Sequence, residues 1–156
     1  MSIEFEILDD LREVLSSKFD TTAQALADTS TRTKTFSITD FTTKPIDEQY
    51  FEQDNIGFVY LEKYDIAKVA STSNSVDMSL TFSIGVVFLS NSDNYMEQVI
   101  LANSALSRVI ASDELELNRY GNWITASLEP LDMTTQDNDN RYIFTGLELK
   151  IKIGLN

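Results

Sequence analysis

The sequence predicts an α+β fold, in which an antiparallel or mixed β-sheet with a long β-hairpin carries two main helices packed on one face. Two segments place apolar residues at helical spacing, and two others alternate apolar and polar residues over long stretches. The segments follow in the order helix, strands, helix, strands, which is typical of helices packed on a sheet. With 156 residues, 42% hydrophobic and 24% charged, the chain is expected to form one domain, residues 1–156.

The first helix is predicted over residues 2–19. Ser2 can cap it, and the acids Glu4 and Glu6 near its start complement the helix dipole. Its apolar residues at helical spacing are Ile3, Ile7, Leu8, Leu11, Val14, Leu15 and Phe19. The Thr-rich residues 20–34 contain a short apolar patch, which fits either another helical turn or a connection.

Two strands are predicted next. Residues 34–41 alternate the apolar Phe36 and Ile38 with polar neighbours, which is the pattern of a half-buried strand. Residues 55–64 again have strand character, and the strand can extend through residues 65–70.

The clearest strand signal covers residues 76–89. The polar residues 71–75 before it supply turn chemistry, so a β-hairpin is expected. The apolar residues at every second position of its second arm are Val76, Met78, Leu80, Phe82, Ile84, Val86 and Phe88. This segment spans about 45 Å at the usual strand rise, so the hairpin is expected to project beyond one small core. Val87 and Leu89 make the other face apolar too, as expected where a helix or a neighbouring subunit covers it.

A second helix is predicted over residues 93–111, with residues 91–93 as its cap. Ala102 and Ala105 would let this helix approach the sheet closely. The predicted apolar stripe consists of Tyr95, Met96, Val99, Ile100, Leu106, Val109 and Ile110.

The last third of the chain predicts two further strands. Residues 123–128 form the first, which Glu129 and Pro130 are expected to end. Residues 134–140 are polar and predict a mobile loop. Residues 142–155 form a long amphipathic strand, whose apolar residues alternate with polar and charged ones.

The composition excludes several kinds of active site. The chain has no cysteine and no histidine, which rules out thiolate and imidazole zinc sites, cysteine nucleophiles and Ser-His-Asp triads. Its glycines are isolated, and no phosphate-binding loop is present. Residues 137–140 resemble part of a calcium loop but lack the following glycine and the bidentate glutamate. Acid pairs such as Asp9 with Asp10 are read as solvated surface, so we expect no cofactor, no metal and no enzymatic activity.

The formal charge of −13 disfavours generic binding to nucleic acid and to anionic membranes, because both carry negative charge. It suits either simple solubility or a surface that DNA passes without adhering. No apolar run reaches membrane-spanning length and the N-terminus lacks a basic signal region, so a cytosolic protein is expected.

This arrangement of two helices, a hairpin ending in residues 76–89 and the closing strand Tyr142-Ile143-Phe144-Thr145-Gly146-Leu147-Glu148-Leu149-Lys150-Ile151-Lys152-Ile153 resembles the tail terminator, or tail completion, proteins of long-tailed bacteriophages. The resemblance lies in element order, chain length and the character of the closing strand. It implies a structural virion protein made in the host cytoplasm. Such a protein forms a ring, typically hexameric, that caps the tail tube, docks to the head connector or neck protein and lets DNA pass.

A ring protein needs surfaces for its neighbours. The hairpin turn and the polar residues 134–140 are candidates for contacts with neighbouring rings. Tryptophan is enriched at binding hot spots, although a lone tryptophan at a strand start also suits a core, and arginines beside apolar segments can make intersubunit contacts or lie on ordinary surface. The predicted interface residues are Ser71, Asn74, Val76, Met78, Trp123, Asp137, Asp139 and Arg141.

Two other functions fit the same sequence. A related neck or head–tail joining protein would share the fold and the ring but occupy another level of the particle. An acidic inhibitor that mimics DNA would explain the negative charge without a ring. The two classes differ in the size of the species expected in solution, since a ring protein assembles and an inhibitor acts as a monomer or dimer.

Overall fold

Strand β3, Val76–Ser90, is the central strand of the sheet. The computed structural model describes residues 2–44, 55–68, 76–90, 95–112, 124–137 and 140–155. The elements around β3 are α1 Ile3–Thr29, β1 Phe41–Thr42, β2 Ile56–Lys68, α2 Tyr95–Ile110, β4 Ile124–Asp137 and β5 Asn140–Leu155. The sheet has the strand order β1-β2-β3-β5-β4, and β1 pairs parallel to β2 while the other pairs are antiparallel. The predicted α+β fold with a mixed sheet and a long hairpin is confirmed.

One face of the sheet and the two helices enclose the core. Alternate residues of β3, from Met78 to Phe88, are buried on this face, as the alternation predicted. The paired residues of β5 continue the same layer, with Phe82 opposite Leu149 and Ile84 opposite Leu147. Because both helices contribute to this one cluster, they lie on one face of the sheet, which confirms the predicted layers.

Helix α1 ends ten residues later than predicted, because the apolar patch at residues 23–27 continues the helix. Ala23 and Ala27 are buried four and eight residues after Phe19, so the buried stripe extends without interruption. Their small side chains let neighbouring elements approach closely. The Ser2 side chain accepts a hydrogen bond from the Phe5 amide at 3.4 Å and caps the N-terminus, as expected.

The C-terminus of α1 ends in a Schellman motif. The Arg32 amide donates to the Ala27 carbonyl at 2.8 Å, and the Thr31 amide donates to the Asp28 carbonyl at 3.3 Å. Thr31 has a φ of 52°, which lies in the left-handed region that this position requires and that a β-branched residue rarely adopts. The motif therefore fixes the direction in which the chain leaves the helix at the cost of local strain.

The predicted strand over residues 34–41 is wrong for most of its length. Phe36 and Ile38 are buried as the alternation required, but only Phe41–Thr42 joins the sheet. Helix side chains take the place of strand partners: Asp20 accepts from the Ile38 amide at 3.0 Å, and Ser16 accepts from the Phe41 amide at 3.3 Å. The segment thus lies across the helices with its backbone held by their side chains.

Helix α2 binds the same segment through Gln98, whose side chain is buried. Its Oε1 accepts from the Thr35 amide at 3.1 Å, and its Nε2 donates to the Thr33 carbonyl at 2.9 Å. The predicted apolar stripe of α2 is confirmed at Val99, Leu106, Val109 and Ile110, but its members Met96 and Ile100 are exposed. The remaining buried apolar residues of α2 are Leu101, Ala102 and Ala105. The predicted capping residues 91–93 lie outside the described part of the chain.

The hairpin of β4 and β5 is longer than predicted. Pro130 does not end β4, which continues to Asp137, and the predicted loop over residues 134–140 is wrong for residues 134–137 because they pair with β5. Within the described residues β4 pairs only with β5, so it is an edge strand. An edge strand tolerates proline at positions where the backbone N–H would face away from the sheet, because no hydrogen bond to a neighbouring strand is lost there.

The opposite face of the sheet has its own close packing. Gly85 and Gly146 are paired across β3 and β5. A Cβ on Gly85 would meet the Phe58 ring, which also stacks on Phe144 with centroids 4.9 Å apart. Phe58 and Val87 are fully buried, so the face that the sequence marked as apolar is covered near the C-terminal end of β3.

Candidate assembly surfaces

Exposed apolar side chains mark the surfaces on which another molecule could pack. Among the residues that the structure describes, the large exposed ones are Phe5, Tyr64, Ile66, Met96 and Ile100. They form three groups: one on β2 in the hairpin, one at the start of α2 and one at the start of α1.

The first group lies on the hairpin arm, defined here as residues 61–68 of β2 with the paired residues 76–82 of β3. Tyr64 pairs with Leu80 and Ile66 pairs with Met78, so each pair lies on the face of the sheet that carries the helices. Leu80 and Met78 are buried, whereas Tyr64 and Ile66 are 54% and 57% exposed. The helices therefore do not cover this edge of the arm.

A β-bulge between Leu61 and Lys63 produces this arrangement. The extra residue, Glu62, shifts the register so that Tyr64 rather than Lys63 faces the helix side. The Glu62 carboxylate accepts a hydrogen bond from the Ser83 hydroxyl at 2.6 Å, which holds the bulge to β3. Without the bulge, the charged residues of the arm would occupy the helix-side face instead.

The outer edge of β2 is also open along the arm. β1 pairs only with Gly57 and Phe58, and in the described ranges the rest of β2 has β3 as its one neighbour. An open strand edge presents unpaired N–H and C=O groups to any incoming chain. Apolar side chains and backbone groups on the same arm together make it suited to protein contact.

The second group lies beside a groove between the C-terminal end of α1 and the first half of α2. The groove encloses about 330 Å³, and Ile100, 61% exposed, forms part of its wall. Its lining residues are Leu26, Ser30, Arg32, Glu97, Gln98, Ile100, Leu101 and Ser104. Met96, 51% exposed, stands one turn earlier on α2 and does not line the groove.

The groove has an apolar interior and a charged rim. Arg32 forms an ion pair with Glu97 at 3.5 Å, and their side chains are 58% and 40% exposed. Gln98 uses its amide to hold residues 33 and 35, as described above, so its polar atoms face the chain's own backbone. The Schellman motif fixes Arg32 at this rim through its backbone amide.

The third group is a single side chain, Phe5, which is 62% exposed on the first turn of α1. It points away from the core because Ile3 and Ile7, two residues to either side, pack into or against the core. The acids Glu4 and Glu6 precede and follow it in the chain.

Four of the eight interface residues predicted from the sequence lie in the described part of the chain. Met78 is buried in the core and offers little surface to a neighbour. Val76 begins β3 opposite Lys68 and Leu155. Asp137 pairs with Asn140 at the end of the β4–β5 hairpin, and Arg141 pairs with Ser90 and Gln136. The predicted residues that lie outside the described part of the chain are Ser71, Asn74, Trp123 and Asp139.

Sequence reasoning missed the groups that the structure exposes, although one signal was available. Phe5 lies between Glu4 and Glu6 and outside the predicted stripe, which marks it as an outward apolar residue. The exposure of Tyr64 and Ile66 depends on the bulge and on where the helices end, which local periodicity does not report.

A polar cleft beside α1 contains Asp9, one member of the Asp9–Asp10 pair. Asp9, Glu13 and Asp40 line it together with Arg12, whose Nε donates to the Phe41 carbonyl at 3.0 Å. No group of three or more acids placed to hold a metal ion occurs within the described ranges. Likewise, none of the helices described there has the length and apolar character to span a membrane.

Comparison with known proteins assigns no family to the chain: no family model matches it, and no curated protein matches it significantly.

Proposed function

We propose that this chain is a structural virion protein, a tail terminator that assembles into a ring, caps the tail tube and offers the surface for head docking. The resemblance in element order supports the proposal, and the exposed hairpin arm is the structural observation on which it rests. An arm with Tyr64 and Ile66 exposed beside an open strand edge is suited to a neighbouring protein. We assign it to the contact with a neighbouring subunit or with the tube.

The charge of the chain fits a conduit for DNA. A net charge of −13 on each copy would repel the phosphate backbone and keep DNA from adhering to a channel wall. Helix α1 carries part of this charge, since seven acids accompany two basic residues within Ile3–Thr29. In this proposal the ring passes DNA to the tail without specific binding.

The proposal predicts a defined assembly. Sedimentation velocity of the purified protein, alone and with its tail tube protein, should show a ring-sized species and binding to tube ends. A double variant, Tyr64→Ser with Ile66→Ser, should weaken that assembly or the tube binding. A matched control, Lys63→Ser with Asp65→Ser, alters the same arm on its other face and should leave assembly intact.

The same experiment separates the alternatives. A neck or head–tail joining protein would form a ring but bind the head connector rather than the tube. A DNA-mimic inhibitor would remain a monomer or dimer and would bind a DNA-binding protein instead.

A further inference from the structure

We propose that two copies of the chain pair their hairpin arms along the outer edge of β2 before they meet the tube. The two strands run antiparallel, and a two-fold axis passes between Tyr64 of one copy and Tyr64 of the other. This inference rests on the proposed function, because it concerns the same arm that the ring or the tube would contact. It names the occupant of the arm in the free protein, which is a second copy of this chain.

The backbone groups of Tyr64 and Ile66 face outward along this edge. The Gly57 amide donates to the Asp40 carbonyl at 2.9 Å, so Gly57 directs its backbone groups away from β3. Outward groups belong to every second residue of a strand, and the bulge at Glu62 moves them by one residue, from odd to even positions. Tyr64 is therefore placed to exchange two N–H···O bonds with Tyr64 of a second copy.

Two charged side chains, Lys63 and Asp65, lie on the face of the arm away from the helices. Both are exposed, and neither forms an ion pair within the described part of the chain. With the axis at Tyr64, Lys63 of each copy lies directly opposite Asp65 of the other, so the charges are self-complementary. An axis at Lys63 or Asp65 would place like charges opposite each other, which disfavours pairing. An axis at Ile66 would place Asp65 opposite Ala67.

The helix-side face of the same pairing is apolar. Tyr64 and Ile66 are 54% and 57% exposed, and the axis places the two Tyr64 side chains opposite each other. Strand β3 passes over Glu62, and a second copy that does the same brings Ile66 opposite Leu61. Leu61 packs against the core, so this contact continues the apolar layer of the chain. One register thus matches charges on one face and apolar side chains on the other.

Self-complementarity identifies the occupant as a second copy. In a two-fold contact the same patch of both subunits meets itself, and each residue pair occurs twice. The contact closes at two copies, so it is distinct from a ring contact. It protects an open strand edge that would otherwise favour aggregation, until the tube displaces the second copy.

Charge reversal tests the register. Lys63→Asp and Asp65→Lys each place like charges opposite each other twice, so each variant should dimerise about tenfold more weakly in sedimentation equilibrium at low salt. Both substitutions in one chain restore opposite charges and should restore the wild-type dissociation constant. An equimolar mixture of the two single variants should form heterodimers in preference to either homodimer.

Neutral replacement is the matched control for charge reversal. Exposed ion pairs contribute little to affinity, so the charges select the register mainly by excluding like-charged neighbours. Lys63→Ser with Asp65→Ser removes both charges from one chain and should dimerise nearly as the wild type does.

A single cysteine locates the axis, since the chain has none of its own. Residues that exchange two hydrogen bonds across antiparallel strands have Cα atoms about 5.5 Å apart, a distance that a disulfide spans. Tyr64→Cys should therefore form an intermolecular disulfide on oxidation. Ile66→Cys is the control, because this equally exposed position would lie about 13 Å along the strand from its counterpart and should not cross-link.

Three results would each overturn the inference. They are a wild type that stays monomeric at high concentration, a mixture without preference for heterodimers, and cross-linking of Ile66→Cys but not of Tyr64→Cys. If the wild type is monomeric but still caps tubes, the inference fails and the tail terminator proposal stands. If the wild type pairs at Tyr64 but neither forms a ring nor binds tubes, the inference stands and the tail terminator proposal fails.

Discussion

The Lys34 ammonium lies 2.9 Å from Asp20 Oδ1, and this ion pair ties the segment after α1 to the helix itself. The Lys34 side chain is 7% exposed and that of Asp20 is 28% exposed. The same carboxylate oxygen accepts the Ile38 amide, and the ammonium also donates to the Phe36 carbonyl. A segment with strand-like alternation is thereby held outside the sheet.

Removal of the two partners should have unequal effects. Asp20→Ala leaves the Lys34 ammonium buried without its counter-charge, so we expect a loss of about 3 kcal/mol in the free energy of unfolding. Lys34→Met keeps the apolar contacts and leaves a carboxylate that still accepts the Ile38 amide, so we expect a loss of about 1 kcal/mol. Urea unfolding of both variants checks the order, and an equal or reversed order would contradict this account.

Thr31→Gly should stabilise the protein. Glycine adopts the left-handed conformation without the clash that threonine suffers, so we expect a gain of about 1 kcal/mol in thermal or urea unfolding. Ser30→Gly is the matched control, because Ser30 has a φ of −95° and no such strain to relieve. A gain in stability for Ser30→Gly, or no gain for Thr31→Gly, would show that the Schellman motif is not strained.

Gly146→Ala should be among the most damaging single substitutions. A Cβ there would collide with the Ile84 carbonyl oxygen and with the Gly85 backbone, neither of which can move without breaking the β3–β5 pairing. We expect a loss of about 3 kcal/mol or more in unfolding free energy. Gly57→Ala meets the Phe41 ring rather than backbone and should cost less. Thermal unfolding of the two variants compares them directly.

The exposed and buried residues of the arm should separate stability from assembly. Ile66→Ser alters an exposed side chain and should change unfolding free energy by less than about 0.5 kcal/mol. Met78→Ser, its buried partner across the strands, should cost about 3 kcal/mol. If Ile66→Ser unfolds the protein as readily as Met78→Ser, the arm is part of the core and not a surface for a neighbour.

The long strands could be predicted because their alternation is unbroken. The predicted range of residues 76–89 differs from β3 by one residue, and residues 142–155 differ from β5 by two. In both strands one face lies in the core, and periodicity and burial agree from Met78 to Phe88 and from Ile143 to Ile153.

Two errors had physical causes outside the local sequence. Phe36 and Ile38 alternate like a strand, but their segment finds its hydrogen-bond partners on helices, through Asp20 and Gln98, which are distant in sequence. Pro130 reads as a strand end, but β4 lies at the sheet edge, where proline is tolerated. The local sequence pattern predicts which residues are buried, but it does not predict which element their backbone groups pair with.

The candidate surfaces could not be predicted in detail. Exposure of Tyr64 follows from a bulge at Glu62, and exposure of Ile100 follows from how α1 and α2 pack. Both depend on the relative placement of elements, which a single sequence does not specify.

Sedimentation velocity of the wild-type chain with and without its tail tube protein tests the central claim most directly. The account predicts a discrete ring-sized species, formed alone or on addition of tubes, that binds tube ends and stops their growth. A strict monomer at high concentration that leaves tube length and growth unchanged would contradict it.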